Sequence, residues 1–201
     1  MGHGLGAAPK MIIVKNRSVG SQWNVYHASL GNTLRLYLNL TLAQQAASSA
    51  IWNSTSPTST VFSLGNDGEI NASGQNLIAY CFTDIKGFSK FGSYTGNGST
   101  DGTFVYTGFR PAFVMIKRTD SASQWVVLDS KRNTFNLANL ELYPNASDAE
   151  ATGSRSIDIL SNGFKVRTSG SDINGSGGTM IYMCFAENPF VTSGGIPVTA
   201  R

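Results

Sequence analysis

The sequence carries few charges, and this scarcity excludes several functions at once. Only 13% of its 201 residues are Asp, Glu, Lys or Arg, roughly half the share found in average soluble domains. The net charge of +3 is too small for a surface that binds phosphate backbones, which requires clustered Lys and Arg. The composition therefore predicts no nucleic-acid partner.

Membrane and secretion signals are also missing. No apolar run approaches the roughly 20 residues that a membrane-spanning helix needs, so no membrane insertion is predicted. Residues 1–6 lack a charged region followed by an apolar core, and we expect no signal peptide.

Residues that commonly carry chemistry are rare, with only two histidines and two cysteines. Neither a Gly-x-Ser-x-Gly elbow nor a Gly-x-x-x-x-Gly-Lys-Ser/Thr loop occurs. A pair of cysteines cannot form a structural zinc site alone. Cys81 and Cys184 each lie in an apolar run, which favours buried free thiols, while a disulfide between them is the alternative. The sequence predicts no enzyme, no metal and no cofactor.

What the sequence does contain is an internal repeat. A proline, a β-rich apolar run and a lysine occupy residues 9–15 and recur at 111–117, shifted by 102 positions. The tripeptide Ser-Gln-Trp follows each copy with the same shift, at residues 21–23 and 123–125. The pattern indicates two copies of one unit, with insertions confined to the loops.

The fold predicted from this pattern is all-β. Short apolar runs are separated by Gly- and Asn-rich turns, which is typical of β-sandwiches and jelly rolls. We expect two tandem, homologous, pseudo-symmetric β-sandwich repeats of jelly-roll or lectin-like type, at residues 1–90 and 91–201. Hairpin turns are predicted at residues 66–68 and 161–163, and one or two helical turns within residues 42–50.

The first repeat lacks a counterpart for the strands predicted within residues 91–106. A missing strand leaves an unpaired sheet edge, which proteins normally cover. We expect the edge beside residues 11–14 to be covered by the C-terminal residues from Val191 onward or by another subunit.

Aromatic and basic residues are the candidate contacts for a glycan or a partner. Trp23 and Trp125 occupy equivalent positions, for which core packing is the favoured interpretation and a stacking platform for a sugar ring the alternative. Basic residues that follow the equivalent strands are interpreted as solvated strand ends or, alternatively, as contacts with an anionic glycan. The six candidates are Trp23, Trp52, Tyr94, Trp125, Arg17 and Arg118.

Several stretches resemble a repeat module in tail-fibre and other appendage proteins of marine bacteriophages. They include His-Gly-Leu-Gly-Ala-Ala-Pro-Lys-Met-Ile-Ile-Val-Lys at residues 3–15, Tyr-His-Ala-Ser-Leu-Gly at 26–31, and residues 88–98 and 108–118. The resemblance extends from His3 to about Phe190. It implies a non-enzymatic virion structural protein, made in the host cytoplasm, that forms homo-oligomers, joins other virion proteins and contacts host-surface glycans.

Three other functions remain open on the sequence alone. One is a stand-alone, lectin-like carbohydrate-binding module, and another is a capsid decoration protein. The third is a glycan-cleaving enzyme, whose paired carboxylates would need a geometry that sequence does not give.

Overall fold

The computed structural model describes residues 1–187, and they are mainly β-structure. The chain divides into two compact units, Met1–Thr83 and Asp84–Arg201. The described strands form three sheets, and their named pairs are antiparallel. The predicted all-β class is confirmed.

The first unit contains one five-stranded sheet, with strand order β4-β3-β2-β1-β5. In chain order, its elements are β1 (Met11–Asn16), β2 (Asn24–His27), β3 (Leu34–Tyr37), β4 (Gln45–Ala46), α1 (Ser49–Trp52), α2 (Gly68–Asn71) and β5 (Leu77–Phe82). Strand β1 lies inside the sheet because its Met-Ile-Ile-Val run is apolar on both faces, and all four of those residues are buried.

One face of this sheet packs against the two short helices. Ile12 and Val14 of β1 share a hydrophobic cluster with Trp52 of α1 and Ile70 of α2. The Trp52 indole packs edge-on against Tyr26, with ring centroids 5.8 Å apart. The core of the first unit therefore lies between a sheet and helical turns.

The second unit contains two four-stranded sheets, with orders β6-β13-β8-β9 and β10-β11-β12-β7. Its elements are β6 (Ser89–Thr95), β7 (Phe104–Tyr106), β8 (Pro111–Arg118), β9 (Trp125–Asp129), β10 (Ala138–Glu141), β11 (Ala151–Leu160), β12 (Gly163–Val166), α3 (Ser171–Asn174) and β13 (Thr179–Ala186). Both sheets contribute to one hydrophobic cluster, which includes Ile116 and Met180 from the first sheet and Ile157 and Phe164 from the second.

Three central strands have the same register in both units. The pair Met11↔His27 between β1 and β2 corresponds to Phe113↔Asp129 between β8 and β9, each residue shifted by 102 positions. The order β2-β1-β5 corresponds to β9-β8-β13. In both units the last of these three strands places a cysteine, Cys81 or Cys184, opposite a residue of the middle strand. The repeated sequence thus forms the same strand pairs twice.

The structure confirms one predicted hairpin and corrects another. Residues 161–162 form the two-residue turn between β11 and β12, where Leu160 pairs with Gly163. The predicted hairpin at residues 66–68 is wrong, because Asp67 instead caps α2 by accepting a hydrogen bond from the Glu69 N–H at 2.8 Å. An Asp before Gly-Glu favours a helix N-cap as well as a turn. The predicted helical turns overlap α1, but only from Ser49.

The predicted position of the open edge is also wrong. Strand β1 has neighbours on both sides, so the edge beside residues 11–14 is paired. Within residues 1–187, the edge of this sheet next to β1 is formed by β5, whose outer side is unpaired, and the opposite edge is formed by β4. The counterpart of β5 in the second unit, β13, is paired there by β6. The predicted cover from Val191 onward lies outside the described residues.

Candidate functional site

A pocket of about 460 Å³ lies on the first unit where β1 ends. Two aromatic side chains, Trp23 and Tyr80, form part of its lining. Their rings are nearly parallel, with centroids 6.5 Å apart and an angle of 18° between the planes. Tyr80 is 44% exposed, so an aromatic surface is open to solvent at this pocket.

Backbone hydrogen bonds position the two aromatic residues. Tyr80 lies on β5 opposite Ile13. Trp23 precedes β2, and its N–H donates to the Asn39 side-chain oxygen at 3.0 Å. The Asn39 amide in turn donates to Gln22 Oε1 at 2.6 Å. This clasp anchors the backbone at Trp23 while leaving its indole partly exposed.

Two cations complete the polar side of the pocket. Lys15 Nζ donates to the Asn16 carbonyl oxygen at 2.5 Å, to Ser21 Oγ at 3.2 Å and to the Val19 carbonyl oxygen at 3.3 Å, and all three acceptors are uncharged. The Arg17 side chain lines the same pocket and is exposed. The remaining lining residues are Asn16, Val19 and Ile78.

The equivalent positions in the second unit are buried. Trp125 is 1% exposed, and Lys117, the counterpart of Lys15, is fully buried. Burial lowers the pKa of Lys117 to about 8. Met183 stands where the first unit has Tyr80, and it too is buried. The prediction that Trp23 and Trp125 are both buried in the core is confirmed for Trp125 and wrong for Trp23, which is partly exposed.

The other sequence candidates lie away from this pocket. Trp52 is 2% exposed, and its Nε1–H donates to the Leu34 carbonyl oxygen at 3.1 Å. Tyr94 is buried, donates from its hydroxyl to the Ile173 carbonyl oxygen at 2.6 Å, and has a pKa raised by burial. Arg118 pairs with Asp120, with 2.7 Å between Nε and Oδ1. The structure brings together only Trp23 and Arg17 of the six.

A buried ionic network in the second unit was not anticipated from the sequence. Arg155 donates to Glu141 Oε2 at 2.9 Å and also pairs with Asp172. The Glu141 side chain is fully buried, and Tyr143 donates to it at 2.5 Å. Burial and this hydrogen bond raise the pKa of Tyr143 to about 12. Because its carboxylates are occupied by Arg155 and Tyr143, the network holds β10, β11 and α3 together.

The first unit has a smaller version of this network. Arg35 lies 3.4 Å from Glu69 and stacks over Tyr37, as Arg155 stacks over Tyr143. Tyr37 and Tyr143 are the residues matched by the repeat. This arrangement supports structural roles for both arginines.

The remaining chemistry is limited among the described residues. Cys81 and Cys184 are free thiols, so the alternative of a disulfide is excluded. Burial raises the pKa of Cys184 to about 12, which makes it a poor nucleophile. Within residues 1–187 no cluster of three or more His, Cys, Asp or Glu could hold a metal ion. No helix in that range has the length and apolar character needed to cross a bilayer.

Sequence reasoning missed Tyr80 and Ile78 as pocket residues. The available signal was the repeat itself, because Tyr80 aligns with the non-aromatic Met183 within an otherwise matched strand. An aromatic residue present in only one copy is not required by the packing that both copies share.

Comparison with known proteins identifies the family of the chain. No curated protein matches it, and no solved structure matches it either. Residues 1–189 match the family model described as a domain of unknown function, DUF7483. The chain therefore belongs to the DUF7483 family.

Proposed function

We propose that this protein is a non-enzymatic carbohydrate-binding protein of a bacteriophage appendage, which contacts glycans on the host surface through the pocket at Trp23 and Tyr80. The observation that carries the proposal is the aromatic pair of the partly exposed Trp23 and the exposed Tyr80 in a pocket of about 460 Å³. The resemblance to marine phage appendage modules supplies the biological setting.

Sugar recognition fits the mixture of groups in this pocket. Pyranose rings have apolar C–H faces and hydroxyl edges, so they bind where aromatic faces lie beside hydrogen-bonding side chains. Trp23 and Tyr80 supply the aromatic surface, and Asn16, Lys15 and Arg17 supply the polar groups.

A glycan array with single substitutions tests this proposal. Trp23→Ala and Tyr80→Ala should each weaken binding to the array's best ligand by about tenfold or more, because each removes a stacking face. Tyr106→Ala is the matched control, since Tyr106 is 65% exposed and does not line the pocket. If no glycan binds, or if all three variants bind as the parent does, the proposal is wrong.

We further propose that the two units are tandem copies of one ancestral repeat with a sandwich or jelly-roll plan. The support is the shared register of β2-β1-β5 and β9-β8-β13. A second support is the shared clasp, since Trp125 N–H donates to Asn145 Oδ1 at 2.7 Å, as Trp23 does to Asn39. The second unit's two sheets with a common core fit the sandwich plan more closely than the first unit does.

Self-assembly is the second function that a specific observation favours. Arg17 N–H donates to the Asn76 carbonyl oxygen at 2.8 Å. In an antiparallel pair, every second residue directs its N–H and C=O groups toward the partner strand, so those of Leu77, Ala79 and Cys81 point away from β1. These groups form an edge that no strand within residues 1–187 pairs with. Addition of a strand from another subunit would satisfy them.

Two measurements address the appendage role. Mass spectrometry of purified phage particles should detect this chain among the virion proteins. Analytical ultracentrifugation should find a defined oligomer. Absence from the particles together with a strictly monomeric protein would favour the stand-alone lectin-like module over the appendage and the capsid decoration protein.

A further inference from the structure

We infer that the glycan bound at the Trp23–Tyr80 pocket is anionic and carries carboxylate or sulfate groups, an inference that rests on the proposed carbohydrate-binding function. The pocket lining contains two cations, Lys15 and Arg17, and no acidic residue. A neutral sugar would leave this positive charge without a partner.

Among the residues that the structure describes, none supplies a negative charge to the lining of this pocket. The first unit contains only two acidic residues, Asp67 and Glu69. Asp67 caps helix α2, and Glu69 pairs with Arg35. None of the ion pairs found among residues 1–187 includes Lys15 or Arg17.

Packing gives no reason for a guanidinium at position 17. The residue shifted by 102 positions in the second unit is Thr119, although Lys15 is matched there by Lys117. The strand pairing shared by the two units therefore does not require Arg17. Its side chain is exposed and faces the same pocket as the aromatic pair.

The two cations suit an oxyanion on a sugar. Arginine presents a planar fork of N–H donors that matches the two oxygens of a carboxylate or sulfate, while lysine acts as a point charge. Lys15 Nζ is already oriented by the Asn16 carbonyl oxygen at 2.5 Å and by Ser21 Oγ at 3.2 Å. The Lys15 ammonium, whose N–H groups also donate to the Val19 carbonyl oxygen at 3.3 Å, can attract the anion as a fixed charge. The exposed Arg17 guanidinium can donate to the anion while the ring lies on the aromatic surface.

Matched pairs of polysaccharides test this inference with the full chain. The first pair is oligogalacturonate and its methyl ester, which differ by the carboxylate charge. The second pair is a sulfated galactan and the same polymer after chemical desulfation. We expect at least one charged member to bind about tenfold or more tightly than its neutral partner, because hydrogen bonds to ionised groups are the stronger kind. Binding by the charged member should weaken between 50 and 500 mM NaCl.

Substitutions assign the effect to this pocket. Arg17→Gln should remove most of the preference for the charged member, because it weakens binding of that member by about tenfold and binding of the neutral member by much less. Arg110→Gln is the matched control, because Arg110 is exposed and lies outside the pocket. Loss of the preference in both variants, or in neither, would overturn the assignment to Arg17.

The outcomes separate the inference from the function on which it rests. If neutral glycans bind as tightly as their charged partners and Trp23→Ala abolishes both, the pocket binds sugars but the anionic class is wrong. If charged glycans bind but Trp23→Ala and Arg17→Gln have no effect, both the pocket and the anionic inference are wrong. If no glycan binds to the parent protein, the carbohydrate-binding function itself is overturned.

Discussion

The two units share their central strands but differ in what they bury. In the second unit Trp125, Lys117 and Met183 are all buried. At the equivalent positions of the first unit, Trp23 and Lys15 are partly exposed and Tyr80 is exposed, and together they line a pocket. Equal strand register therefore does not imply equal use of the side chains that project from it.

Charge differs between the units as much as burial does. Among the described residues, ten of the eleven ion pairs lie in the second unit, and the first unit has only Arg35–Glu69. The second unit thus pairs most of its charges internally. The first unit leaves Lys15 and Arg17 without carboxylate partners, which is the arrangement expected of a binding surface rather than a structural one.

The largest expected contrast is between the two equivalent tryptophans. Trp125→Ala should lower the free energy of unfolding by about 3–5 kcal/mol, as truncations of buried aromatic residues do. Trp23→Ala should lower it by only about 1–2 kcal/mol, because part of that indole is already in contact with water. Urea titration of both variants measures the difference, and equal losses would show that the two indoles are equally buried.

The buried ionic network provides the next contrast. Arg155→Met leaves the fully buried Glu141 without its arginine and should cost roughly 3 kcal/mol. Arg35→Met should cost roughly 1 kcal/mol, since Glu69 is partly exposed and the Arg35 Nε–H is buried without a hydrogen-bond partner. Thermal unfolding of the two variants under identical conditions compares them. A larger loss for Arg35→Met would contradict the assigned roles.

The burial of Lys117 should make the stability of the second unit depend on pH. The pKa of this lysine in the folded protein is about 8, below its ordinary value of 10.5, so below pH 8 the fold must bury a charged ammonium. The unfolded chain binds more protons between these values, and stability should therefore rise with pH in that window. From pH 7 to 9.5 the parent should gain about 1–3 kcal/mol relative to Lys117→Met. Parallel pH profiles of unfolding free energy for the two proteins would refute this.

The smallest expected effect on stability concerns the edge of β5. Ala79→Pro removes an N–H that points away from β1, so it should cost less than about 1 kcal/mol. Tyr80→Pro is the contrasting control, because it removes a ladder hydrogen bond to β1 and should cost about 3 kcal/mol. If subunits join through this edge, sedimentation of Ala79→Pro should show dissociation with the fold intact. An unchanged oligomer would show that the interface lies elsewhere on the protein.

A strand added to β5 would differ from the one that covers β13. In the second unit β6 places Gly92 opposite Tyr182, and a Cβ there would lie 2.7 Å from the Tyr182 hydroxyl oxygen. Ala79 stands at the matching position on β5. A partner strand could therefore carry a residue other than glycine opposite Ala79. The sequence of β6 does not predict the sequence of such a strand.

Sequence patterns predicted the strands more successfully than the pocket. The apolar run that became β1 and the turn at residues 161–162 carry strong local signals, namely β-branched residues and an Asn-Gly pair. The short helix α2 was missed because Asn-Asp-Gly suits a hairpin turn and a helix N-cap equally well. The exposure of Trp23 could not be predicted, because it depends on which side chains pack around the indole, and the same Ser-Gln dipeptide precedes Trp23 and Trp125.

The placement of the free edge shows the same limit. Counting strands correctly indicated that the first unit lacks a counterpart of β6. It could not indicate that β5 rather than β1 would be left at the edge, because strand order follows from long-range pairing. Both Met11–Asn16 and Leu77–Phe82 were identified as strands. Which of them lies at the sheet edge depends on contacts between residues far apart in the sequence.

The central claim is that the first unit presents a sugar-binding indole and the second unit buries its equivalent. The most direct test is a ¹H–¹⁵N spectrum of the three tryptophan side chains, assigned with Trp→Phe variants and titrated with oligogalacturonate and with sulfated galactan fragments. We predict that the indole signal of Trp23 shifts progressively with ligand while those of Trp52 and Trp125 stay in place. A titration in which Trp125 or Trp52 shifts and Trp23 does not, or in which no indole responds to either glycan, would contradict the account.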